Sequence, residues 1–279
     1  MKVLVIGDFH GRFPKRKFDK IIKKEKIDLV VSLGDYAPFY HRKLWFKHCY
    51  HKDLELWEVI GKKKYRELVM IDLKKGEEIL KKLNKLSVPV ITVLGNIDYP
   101  MPDDVSDIKR EKKLFWDRKD LFAERLKKYK NIHRFDYSFF RYMGFVFIGA
   151  RGHTFPGYVR SKGYKKHKAK LEKLFKKFPK ERGKKKVIFI VHNPPYNTKL
   201  DKIKDKKSPK EVRRKHYGSR LFRSIVNKYQ PILCIGGHFH ENPVKDKLKK
   251  TILLNPGAVC DGRAAIVDVD KKLEIKFIK

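Results

Sequence analysis

The stretch MKVLVIGDFHG at residues 1–11 reads as a buried strand whose end presents Asp8 and His10. Val3 to Ile6 is a continuous apolar, β-branched run of strand length. A strand apolar on both faces belongs inside a layered sheet. The same grammar recurs along the chain. Leu29 to Leu33 ends in Gly34-Asp35, and Val88 to Leu94 ends in Gly95-Asn96-Ile97-Asp98. Val187 to Val191 ends in His192-Asn193-Pro194-Pro195, and Ile232 to Ile235 ends in Gly236-Gly237-His238-Phe239-His240. Ile252 to Leu254 is a further strand run.

Amphipathic basic stretches separate these runs. Lys15 to Lys26 places Phe18, Ile21 and Ile22 on one helical face, and Gly76 to Leu86 does the same for Ile79, Leu80, Leu83 and Leu86. Ser208 to Tyr229 opens Ser-Pro-Lys-Glu, the signature of a helix start. Alternating strand and helix predict a layered α/β domain. The close-spaced runs Tyr137 to Tyr142 with Phe145 to Ile148, and Ala264 to Val269 with Leu273 to Ile278, predict antiparallel hairpins. A mixed core of two sheets follows. Basic, aromatic-rich stretches near 37–75 and 101–130 read as helical insertions over one end of the sheet. The whole of 1–279 is expected to be one domain.

Lys and Arg number 70 against 32 Asp and Glu, a formal net charge of +38. Such a chain attracts polyanions, and a nucleic acid is one expected partner. Abundant Lys and a single Gln (Gln230) also fit heat adaptation, although the matching Glu is missing. Cys49, Cys234 and Cys260 are odd in number and widely spaced, which suits reduced thiols in a cytoplasmic protein. No run reaches the length of a membrane span. The sequence leaves the oligomeric state open.

In an open α/β sheet, ligands bind outside the carboxyl ends of the strands. Five strand ends here deliver Asp, Asn or His to that rim. Carboxylate, amide oxygen and imidazole together suit divalent ions of the Mn, Fe, Ni or Zn kind. A glycine before most of these residues is expected to let the backbone turn sharply.

The order Gly-Asp-x-His-Gly, Gly-Asp, Gly-Asn-x-Asp, His, Gly-His-x-His resembles the calcineurin-like metallophosphoesterase superfamily, from Lys2 to about Gly262. His192 to Tyr196 with Thr198 and Asp201, Tyr217-Gly218-Ser219, and Asn255-Pro256-Gly257 look more narrowly like its Icc-like phosphohydrolases. The resemblance implies a four-layer α/β/β/α sandwich of two mixed β-sheets flanked by helices. It implies two metal ions, the first on Asp8, His10 and His240, the second on Asn96, His192 and His238, with Asp35 bridging. A metal-bridging hydroxide would then attack a phosphomonoester or phosphodiester, the ions clamping its oxygens. The alternative is a nucleic-acid-binding protein with a weak or vestigial metal centre.

Two departures bear on chemistry. Many family members carry His where this chain has Ile97, which neither neutralises phosphate nor donates a proton. The stretch Asp35-Tyr36-Ala37-Pro38 enters the insertion where relatives continue differently. Catalytic roles are expected for Asp35, Asn96 and His10, with Asp98 orienting a ligand. Arg12, Asn193 and His153 are expected substrate contacts, and Thr198, Asp201 and Ser219 help shape the site. His41, His48, Cys49 and His51 lie close together but lack zinc-finger spacing. A helical cap whose histidines face the site is the reading taken.

Overall fold

The computed structural model describes residues 1–50, 52, 54–99, 114, 119–153, 159–204, 208, 210, 212–270 and 273–279. Its core is two six-stranded sheets, face to face. The first runs, from edge to edge, Glu274–Ile278 (β12), Ala264–Asp268 (β11), Lys2–Ile6 (β1), Leu29–Ser32 (β2), Val90–Thr92 (β3) and Ile132–Arg134 (β4). The second runs Phe139–Tyr142 (β5), Phe145–Ala150 (β6), Val187–Val191 (β7), Leu233–Ile235 (β8), Thr251–Asn255 (β10) and Val244–Leu248 (β9). Each sheet is mixed. β1 to β4 pair in parallel, as do β6, β7, β8 and β10, while β5, β9, β11 and β12 join antiparallel.

Side-chain alternation explains the four layers. Val3 and Val5 face the second sheet, where they meet Phe147, Ile188, Ile190 and Ile235. Leu4 and Ile6 point the other way, onto Phe18 and Ile22 of Lys15–Glu25 (α1) and Leu73, Ile79 and Leu80 of Lys62–Asn84 (α4). In the second sheet Val187, Phe189 and Val191 pack outward against Lys162–Lys176 (α6) and Arg220–Tyr229 (α8). Every residue of β7 is buried, which is why its sequence is apolar without interruption.

The hairpin between β5 and β6 turns on two residues, Met143 (φ 45) and Gly144 (φ 77), with Tyr142 opposite Phe145. Two central residues at positive φ match the right-handed strand twist. In the 37–75 insertion, Arg42–His48 (α2) and Leu56–Ile60 (α3) lead into α4. The expected helix at Gly76 is therefore the second half of a 23-residue helix. Most of the 101–130 insertion lies outside the described residues; the described part holds one short helix, Ala123–Leu126 (α5). Pro179–Gly183 (α7) lies between α6 and β7.

One helix start is corrected. α8 begins at Arg220 and not near Ser208, because the capping serine is Ser219, whose hydroxyl accepts from the Phe222 N–H at 3.2 Å. Among the described residues no helix is long and apolar enough to cross a membrane.

Candidate metal centre

The carboxyl ends of β1, β2, β3, β7 and β8 point to one edge of the sandwich, where their following loops interlock. The Asp8 N–H donates to Gly34 O at 2.9 Å, and the His10 N–H donates to Asp35 O at 2.9 Å. Four of the expected ligands sit in left-handed backbone: Asp8 (φ 52), His10 (φ 43), Asp35 (φ 58) and His238 (φ 69). Such conformations persist in non-glycine residues only where surrounding contacts enforce them. The glycines thus have a different part from the one expected. Of those preceding a ligand, only Gly34 (φ 83) itself turns at positive φ. Gly95 and Gly237 instead make room. A Cβ on Gly95 would overlap Asp35 Oδ1, and one on Gly237 would lie 2.5 Å from Asp8 Oδ2.

Two donor groups form within this edge. Asp8, His10 and His240 make one, and Asp35, His192 and His238 make the other, the ligand atoms of each lying within 4.8 Å of one another. In the first, His10 Nε2 is 3.0 Å from His240 Nε2, and His240 Nε2 is 3.4 Å from Asp8 Oδ1. In the second, His192 Nε2 lies 3.4 Å from Asp35 Oδ2, 3.2 Å from His238 Nδ1 and 2.9 Å from Asn96 Oδ1. Asp35 Oδ2 is also 3.8 Å from His10 Nε2, so one oxygen faces both groups.

These spacings fit cations. Donors held about 2.1 Å from one ion sit about 3.0 Å apart in an octahedron and about 3.4 Å apart in a tetrahedron. His192 is oriented for the task, because its Nδ1 lies 2.8 Å from Leu33 O. Donation there leaves Nε2 as the free lone pair. The His238 backbone N–H donates to both Asp8 oxygens, at 3.1 and 3.0 Å, which ties β8's loop to β1's.

The electrostatics agree. Burial opposes charge on Asp35, yet His192 and His10 hold its carboxyl well below the ordinary range. Burial likewise opposes the charge of Asp8, and His240 outweighs it. Burial works against protonation of His192 and His240, but Asp35 raises the first to about 9 and Asp8 the second to about 11. Burial lowers His10, and burial with the nearby His192 pushes His238 down to about 3. Two carboxylates thus balance two cationic rings and leave two neutral. A divalent ion takes an imidazole as a neutral donor, so loading either group would displace a proton, from His240 in the first and from His192 in the second.

Asp98 is fully buried and supports the Asp35 turn. Its Oδ2 accepts from Asp35 N at 2.7 Å and Gly95 N at 2.8 Å, and its Oδ1 accepts from Tyr36 N at 2.6 Å and Ala37 N at 3.4 Å. Burial and the Asp35 charge push its pKa up to about 7 against these N–H groups. Its contacts are to backbone, which makes it a positioning residue. Ile97 donates its N–H to Asp35 Oδ1 at 3.2 Å.

Asn193 and His153 are brought together: Asn193 Oδ1 accepts from the His153 N–H at 2.8 Å, and His153 Nε2 lies 2.9 Å from Ser219 Oγ. Asp201 accepts from the N–H groups of Asn197, Thr198 and Gly218 at 2.8 to 2.9 Å, so it organises the loop after β7. Arg12 is exposed, and its side chain makes no hydrogen bond or ion pair among the described residues. His41 turns into the insertion, 3.3 Å from the buried Asp72 carboxylate, and so does not face the cluster. His51 lies outside the described residues. Sequence reasoning missed Cys260 and Asp261, which join His240 as a further set of ligating atoms within 4.8 Å.

A family model described as calcineurin-like phosphoesterase matches residues 1–242. The chain belongs to this family. As a calcineurin-like phosphoesterase it is a metal-dependent phosphoric ester hydrolase. An uncharacterised protein of Methanocaldococcus jannaschii is 27% identical over 263 residues, which span 92% of this chain and 88% of that one. One solved structure covers all of this chain and 98% of its own at TM-score 0.71 and 21% identity. A dimetal phosphatase from Danio rerio covers 99% and 95% at TM-score 0.59 and 12% identity. The protein TT1561 of Thermus thermophilus covers 99% and 97% at TM-score 0.52 and 15% identity. These structures share the fold of the phosphoesterase.

Proposed function

We propose that this phosphoesterase hydrolyses a phosphodiester or phosphomonoester at a dinuclear centre. Asp8, His10 and His240 would hold one divalent ion, Asn96, His192 and His238 the other, and Asp35 both. The observation that carries this reading is the meeting of two donor groups at Asp35 Oδ2. Paired divalent ions lower the pKa of water and offset the charge of the phosphoryl oxygens. The chain's own residues do the rest. Asp8 and Asp35 supply negative charge, the rings and the Asn96 amide supply neutral donors, and Asp98 fixes the Asp35 turn. His10 Nε2 faces the first donor group and would act through the ion it holds, so a proton for the leaving group would be delivered through water. Arg12, Asn193 and His153 would be the substrate contacts, Arg12 from an exposed position and Asn193 and His153 from buried ones. Manganese suits the oxygen-rich side of this donor set, though iron, nickel and zinc suit its rings as well.

Protein loaded with Mn²⁺ or Ni²⁺ should cleave an aryl phosphodiester, and Asp35→Ala should abolish that turnover. A full panel of metals and phosphoesters without turnover sensitive to this substitution overturns the reading.

The +38 charge favours a polyanion, and we propose nucleic acid as the partner. The insertion supports this by exposing Tyr40 and Phe46, with the Arg42 guanidinium 5.4 Å above the Phe46 ring. Affinity for a single-stranded oligonucleotide should fall steeply with salt. Binding that ignores salt contradicts this partner. The one-domain organisation and a reducing, cytoplasmic setting for the three free thiols belong to the same proposal.

A further inference from the structure

The turn Val259–Asp261 is a short 3-10 helix after β10. Two backbone hydrogen bonds lock it to the end of β1: Val259 N to Gly7 O at 2.9 Å and Cys260 N to Asp8 O at 3.3 Å. On its other side Arg263 Nη1 donates to His240 O at 2.9 Å. The turn is thereby fixed against both loops that supply the first donor group. It presents Cys260, partly exposed, and Asp261, exposed. The ligand atoms of His240, Cys260 and Asp261 all lie within 4.8 Å of one another, with Cys260 Sγ 4.0 Å from Asp261 Oδ1. These atoms do not merge with Asp8 and His10 into one group. The sulfur therefore sits beside the first donor group and not within it.

Two further observations single the set out. Cys49 and Cys234 are buried, which leaves Cys260 as the thiol that solvent reaches. Asp261 forms no ion pair among the described residues, on a chain with 70 Lys and Arg. With no Lys or Arg within ion-pair distance among the described residues, the Asp261 charge is left to the set it shares with His240 and Cys260.

We propose that His240, Cys260 and Asp261 form a further cation site beside the main cluster, taking a thiophilic divalent ion such as Zn²⁺ or Co²⁺. Sulfur selects such ions, whereas Mn²⁺ and Mg²⁺ prefer oxygen. In a tetrahedral site a thiolate and its nitrogen or oxygen neighbours lie about 3.6 Å apart. The observed spacings reach that value through side-chain rotation at Cys260 and Asp261, whose exposed positions leave room for it. On binding, the thiol loses its proton to solvent as the sulfur–metal bond forms. His240 is common to both sets, so an ion held by Cys260 draws on a ring of the first group. Excess thiophilic ion should therefore weaken the hold of Asp8 and His10, a consequence that rests on the dinuclear reading. The sulfur site itself does not.

Cobalt titration separates the two. Visible d–d bands report Co²⁺ on any of the oxygen and nitrogen donors, and a near-ultraviolet charge-transfer band reports thiolate on cobalt. The expected result is d–d bands in wild type and in Cys260→Ser, with the thiolate band in wild type alone. Metal loading should also slow the reaction of the one accessible thiol with a disulfide reagent. A wild-type protein with d–d bands and no thiolate band overturns the sulfur site and leaves the dinuclear reading standing. A thiolate band that persists in Cys260→Ser assigns the sulfur elsewhere and overturns it too. A thiolate band together with undisturbed Mn²⁺ binding at the main cluster supports the site and removes the competition. Absence of every band overturns both proposals.

Discussion

Replacing Asp98 by Asn keeps the side chain's volume and removes one of its two acceptor oxygens. Oδ2 serves Asp35 N and Gly95 N at 2.7 and 2.8 Å; Oδ1 serves Tyr36 N at 2.6 Å and Ala37 N more weakly at 3.4 Å. Whichever way the amide turns, its NH₂ faces N–H groups that now lack a partner. One or two buried donors are stranded, each at about 1–3 kcal/mol. Relief of the repulsion between Asp98 and Asp35 subtracts from that sum. A net loss of about 2 kcal/mol is expected, equivalent to a thermal midpoint lower by roughly 3–4 °C. The Asp35 turn should loosen as well, weakening metal affinity by about 10–100-fold, as removal of a ligand's supporting contact generally does. Thermal unfolding of the metal-free protein and calorimetric titration with Mn²⁺ measure the two effects. An Asp98→Asn protein with unchanged midpoint and unchanged affinity refutes the positioning role.

Gly95→Ala should lose bound metal on dialysis, because the new methyl overlaps Asp35 Oδ1; metal analysis checks it. Ile97→His introduces a proton donor next in sequence to Asn96, at a partly exposed position where many family members carry His, so turnover of alkyl phosphomonoesters should rise by about 100-fold while aryl esters change little. Comparative kinetics on the two ester classes tests this. Asp72→Ala removes the acceptor shared by Tyr40 N and Tyr99 Oη and the partner of His41, at about 2–3 kcal/mol. Tryptic cleavage within residues 42–66 should then quicken.

The strands that carry the cluster were legible because they are buried on both faces. From Val3 onward β1, and the whole of β7, leave no position for a polar residue, and each run stops where the chain meets the rim. β4 and β9 were not legible. β4 is three residues with one buried, and β9 (VKDKL) is an edge strand that alternates charged residues outward. That the helical insertion runs without a break into the Gly76 helix was hidden for a related reason: Val69 and Leu73 are buried, but Met70 and Ile71 are exposed on the opposite side and blur the helical period. Ser208-Pro209 imitated a helix start that belongs to Ser219. Of the site, the ligand types and their order were readable from strand ends. The positive-φ backbone of Asp8, His10, Asp35 and His238 was not, since it arises from loops bonding across strands. Cys260 escaped notice because it follows His240 by a whole hairpin, β9 to β10, and no fixed spacing marks that distance.

A crystal structure of the Mn²⁺-loaded protein, read by anomalous scattering, tests the central claim most directly. The account predicts two ions, one among Asp8, His10 and His240, the other among Asn96, His192 and His238, with Asp35 touching both. A single ion, or ions placed away from Asp35, contradicts it.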